Sequence, residues 1–317
     1  MSKLVDQIKK NEFIQKYTNI ENCHFNNDGT VTVESLYKNE EDIIIKNYCG
    51  ECIPVIFNND GGNYGITIAD CKLSNLKNLP QTCNQFCIMG GYLDNFYGMP
   101  KIVEQIMINK LSSSADLLTL AGMEETKIKP GGSFIFFNSN QFNTLQHFPQ
   151  ITSLDMLNIS YTNLCNFKYM PSASANKVVI SKCNLQTFEG WDLKVKTLDA
   201  SDNYLKTTKG LKNVSEKLIL YNNDLETLDD ELSENDVKKS FIADDNYIKS
   251  IDNLKITPRN ISLNHNQLTH LGDNILCNEK IQEMSFQENN FNDAEKNRII
   301  KTLTKYNERG ERYIFIL

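Results

Sequence analysis

The stretch Leu218-Ile219-Leu220-Tyr221-Asn222-Asn223-Asp224-Leu225-Glu226-Thr227-Leu228 reads L-x-L-x-x-N-x-L-x-x-L. The same frame returns at Ile261 (Leu263, Asn266, Leu268, Leu271), at Phe241 (Ala243, Asn246, Ile248, Ile251) and at Leu198 (Ala200, Asn203, Leu205). Toward the N-terminus it continues from Val178 with Cys183, from Leu157 with Thr162 and from Ile135 with Asn140. Phe86 and Ile66 open two more copies, the latter with Cys71 in the Asn position, and Met284 opens the last. Weaker copies start at Ile43 and Ile106. Twelve frames therefore run from Ile43 to Met284 in steps of 20 to 23 residues, with a single step of 29 between Ile106 and Ile135. A fixed period of this length is the signature of stacked supersecondary units.

Each position has a physical reading. The L-x-L pair sends two apolar side chains inward from a short strand, while the residues between and beside them face solvent. Stacked copies make a parallel sheet. The Asn or Cys falls where the chain leaves the strand, where a side chain can satisfy turn backbone, so Asn140, Asn203, Asn223, Asn246, Asn266 and Asn289 read as a buried ladder. The return limb repeats as well: Leu76-x-x-Leu79-Pro80, Phe96-x-x-Met99-Pro100, Leu145-x-x-Phe148-Pro149 and Phe167-x-x-Met170-Pro171 share one ending. Proline fixes φ and removes a donor, which predicts an extended return with no helix. In the 29-residue step, Ser114 to Ala121 reads as a short helix with Ser114 as its N-cap.

A unit that exposes half its core needs a cap at each end. Leu4, Val5, Ile8, Phe13, Ile14 and Tyr17 give Ser2 to Tyr17 a helical apolar spacing, and Phe25 to Val33 reads as a strand pair around Asp28-Gly29. Asn292 and Glu295 open a second helix in capping-box fashion, and Tyr313 to Leu317 reads as a last strand. The expected organisation is an N-terminal cap over 1–42, repeats over 43–291 and a C-terminal cap over 292–317.

The frame resembles the leucine-rich-repeat family, whose pattern is L-x-x-L-x-L-x-x-N/C-x-L. The first hundred residues are similar to a short-repeat kind encoded by tailed bacteriophages, on the strength of Phe25 to Val33, Leu76 to Pro80 and Phe96 to Pro100. Two departures stand out: Gly50 takes the place of an inner leucine, and Leu111 that of the Asn. The resemblance implies an α/β solenoid: a curved array with a parallel sheet on its concave face, a mostly extended or 3-10 convex side and helical caps. It also implies protein binding and no catalysis. A phage origin implies a host bacterial protein as partner, an antiviral defence component among the candidates, and the host cytoplasm as the place of action.

Composition narrows the function classes. The chain has 317 residues, 40% hydrophobic, and a net charge of −7. That acidity argues against a nucleic-acid-binding surface. No apolar run approaches the roughly 20 residues of a membrane span. The opening Met1 to Phe13 has no apolar core of a signal peptide, and nine cysteines without one point to free thiols in a reducing cytoplasm.

Catalytic and metal motifs are few. Cys49-Gly50-Glu51-Cys52 has the C-x-x-C spacing of half a zinc site or a redox pair, but Cys52 is followed by Ile53-Pro54, which keeps the chain extended. Incidental thiols are the preferred reading, with a thiol or zinc enzyme as one alternative. His24, His147, His265 and His270 are scattered, no phosphate-cradling glycine loop is present, and the acidic run Asp229-Asp230-Glu231 lacks calcium-loop glycines. No cofactor is expected.

Binding is expected on the outward strand positions. Met89, Met107, Phe134, Phe136, Met156 and Tyr161 form an apolar patch over the middle repeats, a composition typical of protein interfaces. Asp199, Asp202, Asp244, Asp245, Glu283 and Glu288 form an acidic group further on, of which Asp199, Asp244 and Asp245 are the partner-binding candidates. A one-residue slip of the frame would exchange inside and outside. The remaining alternative is a phage structural or assembly protein that self-associates.

Overall fold

The structure is a computed structural model that describes residues 2–37, 41–58, 64–113, 118–139, 141–228, 232, 235–307 and 314–316. The chain divides into two compact units, Met1–Asn163 and Leu164–Leu317.

Unit 1 opens with helix α1 (Ser2–Tyr17), which buries Phe13 and Ile14. Strands β1 (Ile20–Phe25) and β2 (Thr30–Leu36) form the expected antiparallel pair. Gly29 supplies the positive φ of 87° that its turn requires, and Asp28 accepts hydrogen bonds from the amide and hydroxyl of Thr30. The repeats then contribute β3 (Asp42–Lys46), β4 (Cys49–Gly50), β5 (Ile56–Phe57), β6 (Gly65–Ala69), β7 (Lys72–Leu73), β8 (Thr82–Met89), β9 (Tyr92–Leu93), β10 (Ile102–Asn109), β11 (Lys127–Phe137) and β12 (Ser153–Asn158). Within this unit the main sheet runs β3-β6-β8-β10-β11-β12, all parallel, while β4-β7-β9 form a second small parallel sheet and β5 joins β2.

The edge of β3 is closed by one asparagine. Asn19 donates its side-chain amide to Asp42 O (2.9 Å) and accepts from Ile44 N (2.7 Å), and its backbone amide donates to Ile44 O. A side-chain amide presents a donor and an acceptor in the spacing of a peptide group, so it stands in for a missing strand.

Unit 2 continues the pattern with β13 (Ala173–Val179), β14 (Leu193–Asp199), β15 (Val214–Ile219), β16 (Ser240–Ile242), β17 (Asn260–Ser262), the short helix α2 (Asp273–Leu276), β18 (Glu283–Ser285), α3 (Asp293–Asn307) and β19 (Ile314–Ile316). Its strands follow in order from β13 to β19, all parallel. Strands joined in sequence yet parallel require a full return after each one, so both units are built coil upon coil.

Register places the L-x-L residues in the core. In unit 1 Ile43, Ile66, Phe86, Ile106, Phe134 and Leu157 lie side by side, and in unit 2 so do Val178, Leu198, Leu218, Phe241, Ile261 and Met284; all are buried. Each contributes roughly 1.5–3 kcal/mol through removal of its side chain from water. Four residues after each of these, the chain leaves the strand through a residue with φ between 51° and 74°: Asn47, Asp70, Gly90, Lys110, Asn138 and Tyr161 in unit 1, then Lys182, Asp202, Asn222, Asp245, His265 and Glu288 in unit 2.

The following position is the ladder slot. In unit 2 the slot asparagines behave as expected. Asn223 donates to Ala200 O, Leu220 O and Tyr221 O (3.0–3.2 Å) and accepts from Leu205 N (3.1 Å), and Asn203, Asn246, Asn266 and Asn289 repeat this set one coil apart. In the repeat with the long insertion the slot is taken by Ser139, whose hydroxyl donates to Leu111 O (2.8 Å); Asn140 lies outside the described residues.

The return limbs are β-turns. Met99, Phe148 and Met170 amides donate to Phe96, Leu145 and Phe167 carbonyls (3.0–3.1 Å), with Gly98, His147 and Tyr169 at positive φ between them. An Asn or Thr side chain opens each turn by accepting a hydrogen bond two residues on, as Asn95 does from Tyr97 N (3.2 Å) and Asn166 from Lys168 N (3.0 Å). The helix expected from Ser114 to Ala121 is absent where it is described: residues 118–120 are not helical, and a single 3-10 turn forms later at Met123–Glu125. Residues 114–117, with the proposed N-cap, lie outside the described residues. Leu118, Leu120 and Met123 are buried, so that apolar pattern marks an irregular core segment and not a helix face.

At α3, Asn292 caps as expected by accepting from Glu295 N (2.9 Å). The carboxylate of Glu295 does not turn back to complete a capping box. It accepts from Leu271 N (3.0 Å) and from Arg298 (2.8 Å), and the guanidinium holds its pKa down to about 2.

Candidate interaction surface

Strand alternation gives each unit a face directed away from its core. In unit 1 the central outward column is Ile44, Thr67, Cys87, Met107, Ile135 and Asn158. Two of the residues predicted for the apolar patch do not belong to it. Phe134 and Phe136 are both 0% exposed, with ring centroids 4.7 Å from Phe148 and 4.4 Å from Phe142 respectively.

The cause is a phase change in β11. Val103 pairs with Ile128 but Gln105 pairs with Ser133, so the segment around Pro130-Gly131-Gly132 inserts extra residues before pairing resumes. Gly132 is required there, because a Cβ would sit 2.1 Å from Glu104 O. The true frame starts at Phe134, one residue earlier than the sequence reading places it. Phe134-Ile135-Phe136-Phe137 is apolar in both phases, so alternation alone cannot decide between them. The usable signal is Asn138 at the positive-φ position and Ser139 in the slot.

The patch is rebuilt by this shift. Met107 and Ile135 are register neighbours, Phe137 lies opposite Asn109 in the row that also holds Met89, and Met156 pairs with Ser133. Met107, Ile135, Phe137 and Met156 are half-buried, Met89 is 39% exposed, and Tyr161 is 47% exposed at its positive-φ position. Sequence reasoning missed Ile135 and Phe137.

In unit 2 the outward column is Val179, Asp199, Ile219, Ile242, Ser262 and Ser285. Two of the three acidic candidates hold the surface together. Asp199 accepts from the amide and hydroxyl of Ser201 (3.1 and 2.7 Å), and Asp244 accepts from the Ser262 hydroxyl and Asn264 N (both 2.7 Å). Asp245 is more open: it lies 3.8 Å from His265 Nδ1 and beside Tyr221, whose hydroxyl pKa it pushes up.

An open cleft of about 450 Å³ follows the strand exits, lined by Asp202, Tyr204, Asp224, Asp245, Tyr247 and His265 over a floor of ladder asparagines. Tyr204 and Tyr247 occupy equivalent places in their repeats and are 55% and 50% exposed. The sequence carries this signal in the sixth position after each frame start, a column that the L-x-L frame does not draw attention to.

The thiols do not converge. Cys49 is exposed, Cys52 is half-buried and weakly bonded by Asn78 (3.8 Å), and both are free. Burial pushes the Cys83 thiol up to about 12 and raises Cys71 and Cys87, which keeps all three protonated rather than in the thiolate form that ligates metals or attacks electrophiles. Among the described residues no three His, Cys, Asp or Glu side chains are placed to share a metal ion. Three histidines sit beside carboxylates: His147 by Glu124, His265 by Asp245 and His270 by Glu295.

No family model matches the chain, and no curated protein is similar to it. Among solved structures, a leucine-rich-repeat protein of Leptospira interrogans aligns over 80% of this chain and 89% of its own length, with 16% identity and a TM-score of 0.32. Recurring inward L-x-L pairs, the positive-φ exit and the asparagine ladder define the architecture from this chain's own geometry. Each unit is a solenoid of stacked parallel-strand coils. No helix among the described residues is long and apolar enough to cross a membrane.

Proposed function

We propose that this protein is a non-enzymatic protein-interaction module, and that one binding face is the outward strand surface of unit 1. The observation that carries the reading is the patch of Met89, Met107, Ile135, Phe137, Met156 and Tyr161. Apolar side chains held on a sheet face by register are covered with little polar desolvation, and methionine adapts its shape to a partner. The segments 1–42 and 292–317 serve as caps of the array. The likeness of the first hundred residues to phage-encoded short-repeat proteins supports a host bacterial protein as the partner, met in the host cytoplasm, with inhibition of a defence component as the consequence.

The test is a tagged pull-down from bacterial lysate, run beside a Met107→Asp/Ile135→Asp variant. Both positions face away from the core, so the variant keeps the fold. A stoichiometric partner held by the wild type and lost by the variant supports the reading. A partner retained by both places the site elsewhere. A large self-assembled species on sizing, with no partner, favours a structural role.

A further inference from the structure

We infer that the tyrosine-lined cleft of unit 2 is a second binding site, which takes an extended protein segment carrying spaced arginines. Its lining holds three carboxylates, Asp202, Asp224 and Asp245, one histidine and no lysine or arginine. Asp202 accepts from Asn222 Nδ2 (2.7 Å), Asp245 accepts from the Tyr221 hydroxyl and lies near His265, and the Asp224 carboxylate has no partner among the described residues. A cation is the complementary ligand.

Geometry selects which kind of cation. No three of the acidic or histidine side chains converge on one point, so a metal ion finds no coordination shell among them. The carboxylates are instead spread along the stack, one coil after another, with Asp224 in the column between the exposed Tyr204 and Tyr247. A guanidinium matches both features. It is planar, gives parallel hydrogen bonds to a carboxylate, and stacks on an aromatic face, whereas an ammonium offers only a compact charge.

Spacing adds a second requirement. Asp202 and Asp245 occupy the same position in frames two strands apart, at roughly 10 Å given strand spacings of about 4.8 Å. An extended peptide advances about 3.4 Å per residue, so arginines three apart span the same distance. The floor is already satisfied, since the ladder asparagines Asn203, Asn223 and Asn246 spend their amides on the coils. The rim is left to bind. This site shares no residue with the apolar patch of unit 1, so either can fail without the other.

The experiment uses the full chain and a fluorescein-labelled nonapeptide of three Arg-Gly-Gly repeats, read by anisotropy near 0.15 M salt, where the screening length is about 8 Å. An Asp224→Asn/Asp245→Asn variant is compared with a Glu12→Gln/Glu34→Gln variant that loses the same charge elsewhere. Asparagine tolerates the positive φ of 54° at position 245, so the first variant keeps its fold. The expected result is a loss of tenfold or more in the cleft variant, a change under twofold in the control, and at least threefold weaker binding of the Lys-Gly-Gly counterpart. Equal losses in both variants would show a response to net charge alone and overturn the proposal. So would the absence of binding at millimolar peptide, or lysine binding as tightly as arginine.

Discussion

The two units solve one backbone problem in two ways. Each coil leaves its strand through a residue at positive φ, and the amides just beyond it need acceptors inside the turn. In unit 2 the asparagine of the next coil supplies one: Leu205, Leu225, Ile248 and Leu268 amides donate to Asn223, Asn246, Asn266 and Asn289. In unit 1 the slots hold Tyr48, Cys71, Gly91, Leu111, Ser139 and Thr162, none of which offers an amide. There the backbone pairs with itself. Lys72 N donates to Tyr48 O and Tyr92 N to Cys71 O (both 2.8 Å), which is why β4, β7 and β9 exist and unit 2 has no counterpart among its described residues. Gly91 completes this arrangement, because a Cβ would lie 2.2 Å from Cys71 O. The same strand geometry therefore stands on side-chain amides in one unit and on a small extra sheet in the other.

The largest effect should come from the phase of β11. Phe136→Ala removes a fully buried ring and is expected to cost about 3–5 kcal/mol, while Ile135→Ala, on the outward face, costs under about 1 kcal/mol. Urea unfolding monitored by circular dichroism gives both values. A larger loss from Ile135→Ala would restore the phase first read from the sequence and return Phe134 and Phe136 to the surface.

The ladder is the next contrast. Asn223→Ala leaves the buried Leu205 amide without its acceptor and takes one of two donors from each of Ala200 O, Leu220 O and Tyr221 O, and should cost about 3 kcal/mol. Cys71→Ala loses only weak sulfur contacts, donated to Ile45 O and Ala69 O (3.6 and 3.4 Å) and accepted from Tyr48 N (3.4 Å), and should cost about 1 kcal/mol. Amide exchange sharpens the comparison: protection at Leu205 should fall in the first variant, and protection at Lys72 should persist in the second. Equal destabilisation by the two substitutions would mean that the extra sheet of unit 1 does not replace the ladder.

How legible each unit was follows from the same chemistry. Asn203 through Asn289 recur five residues after each frame start and fix the phase even where the middle residue of the L-x-L pair is apolar, as at Ile219 and Ile242, so register and burial in unit 2 could be read directly. In unit 1 the slot changes identity at every coil, and Phe134 to Phe137 fit either phase. The insertion before β11 then decided the matter through Gly132, whose role depends on how close Glu104 O comes in space. Of the apolar residues named from the sequence, Met89, Met107, Met156 and Tyr161 reach the surface, while Phe134 and Phe136 belong to the core and Ile135 and Phe137 stand outward instead. The tyrosine cleft went unseen because its members lie beyond the strand, where the repeat frame sets no apolar requirement.

The smallest test concerns the exit residue itself. Left-handed backbone costs a side-chain-bearing residue about 1–2 kcal/mol, and only glycine is free of that cost. Unit 1 uses glycine at one exit, Gly90 (φ 74°), and unit 2 uses none, ending its series with the exposed Glu288 (φ 53°). Gly90→Ala is expected to destabilise by about 1 kcal/mol, since the new Cβ also meets Asp70 Oδ1 at 2.6 Å and that side chain must move. Glu288→Gly should stabilise by about 0.5 kcal/mol, the left-handed cost relieved less the entropy of a freer unfolded chain. Opposite signs in the two urea midpoints would show that every exit is held left-handed by the coil and not by the residue that occupies it. A loss of stability in Glu288→Gly would instead assign the Glu288 side chain a contact worth more than the backbone cost it carries.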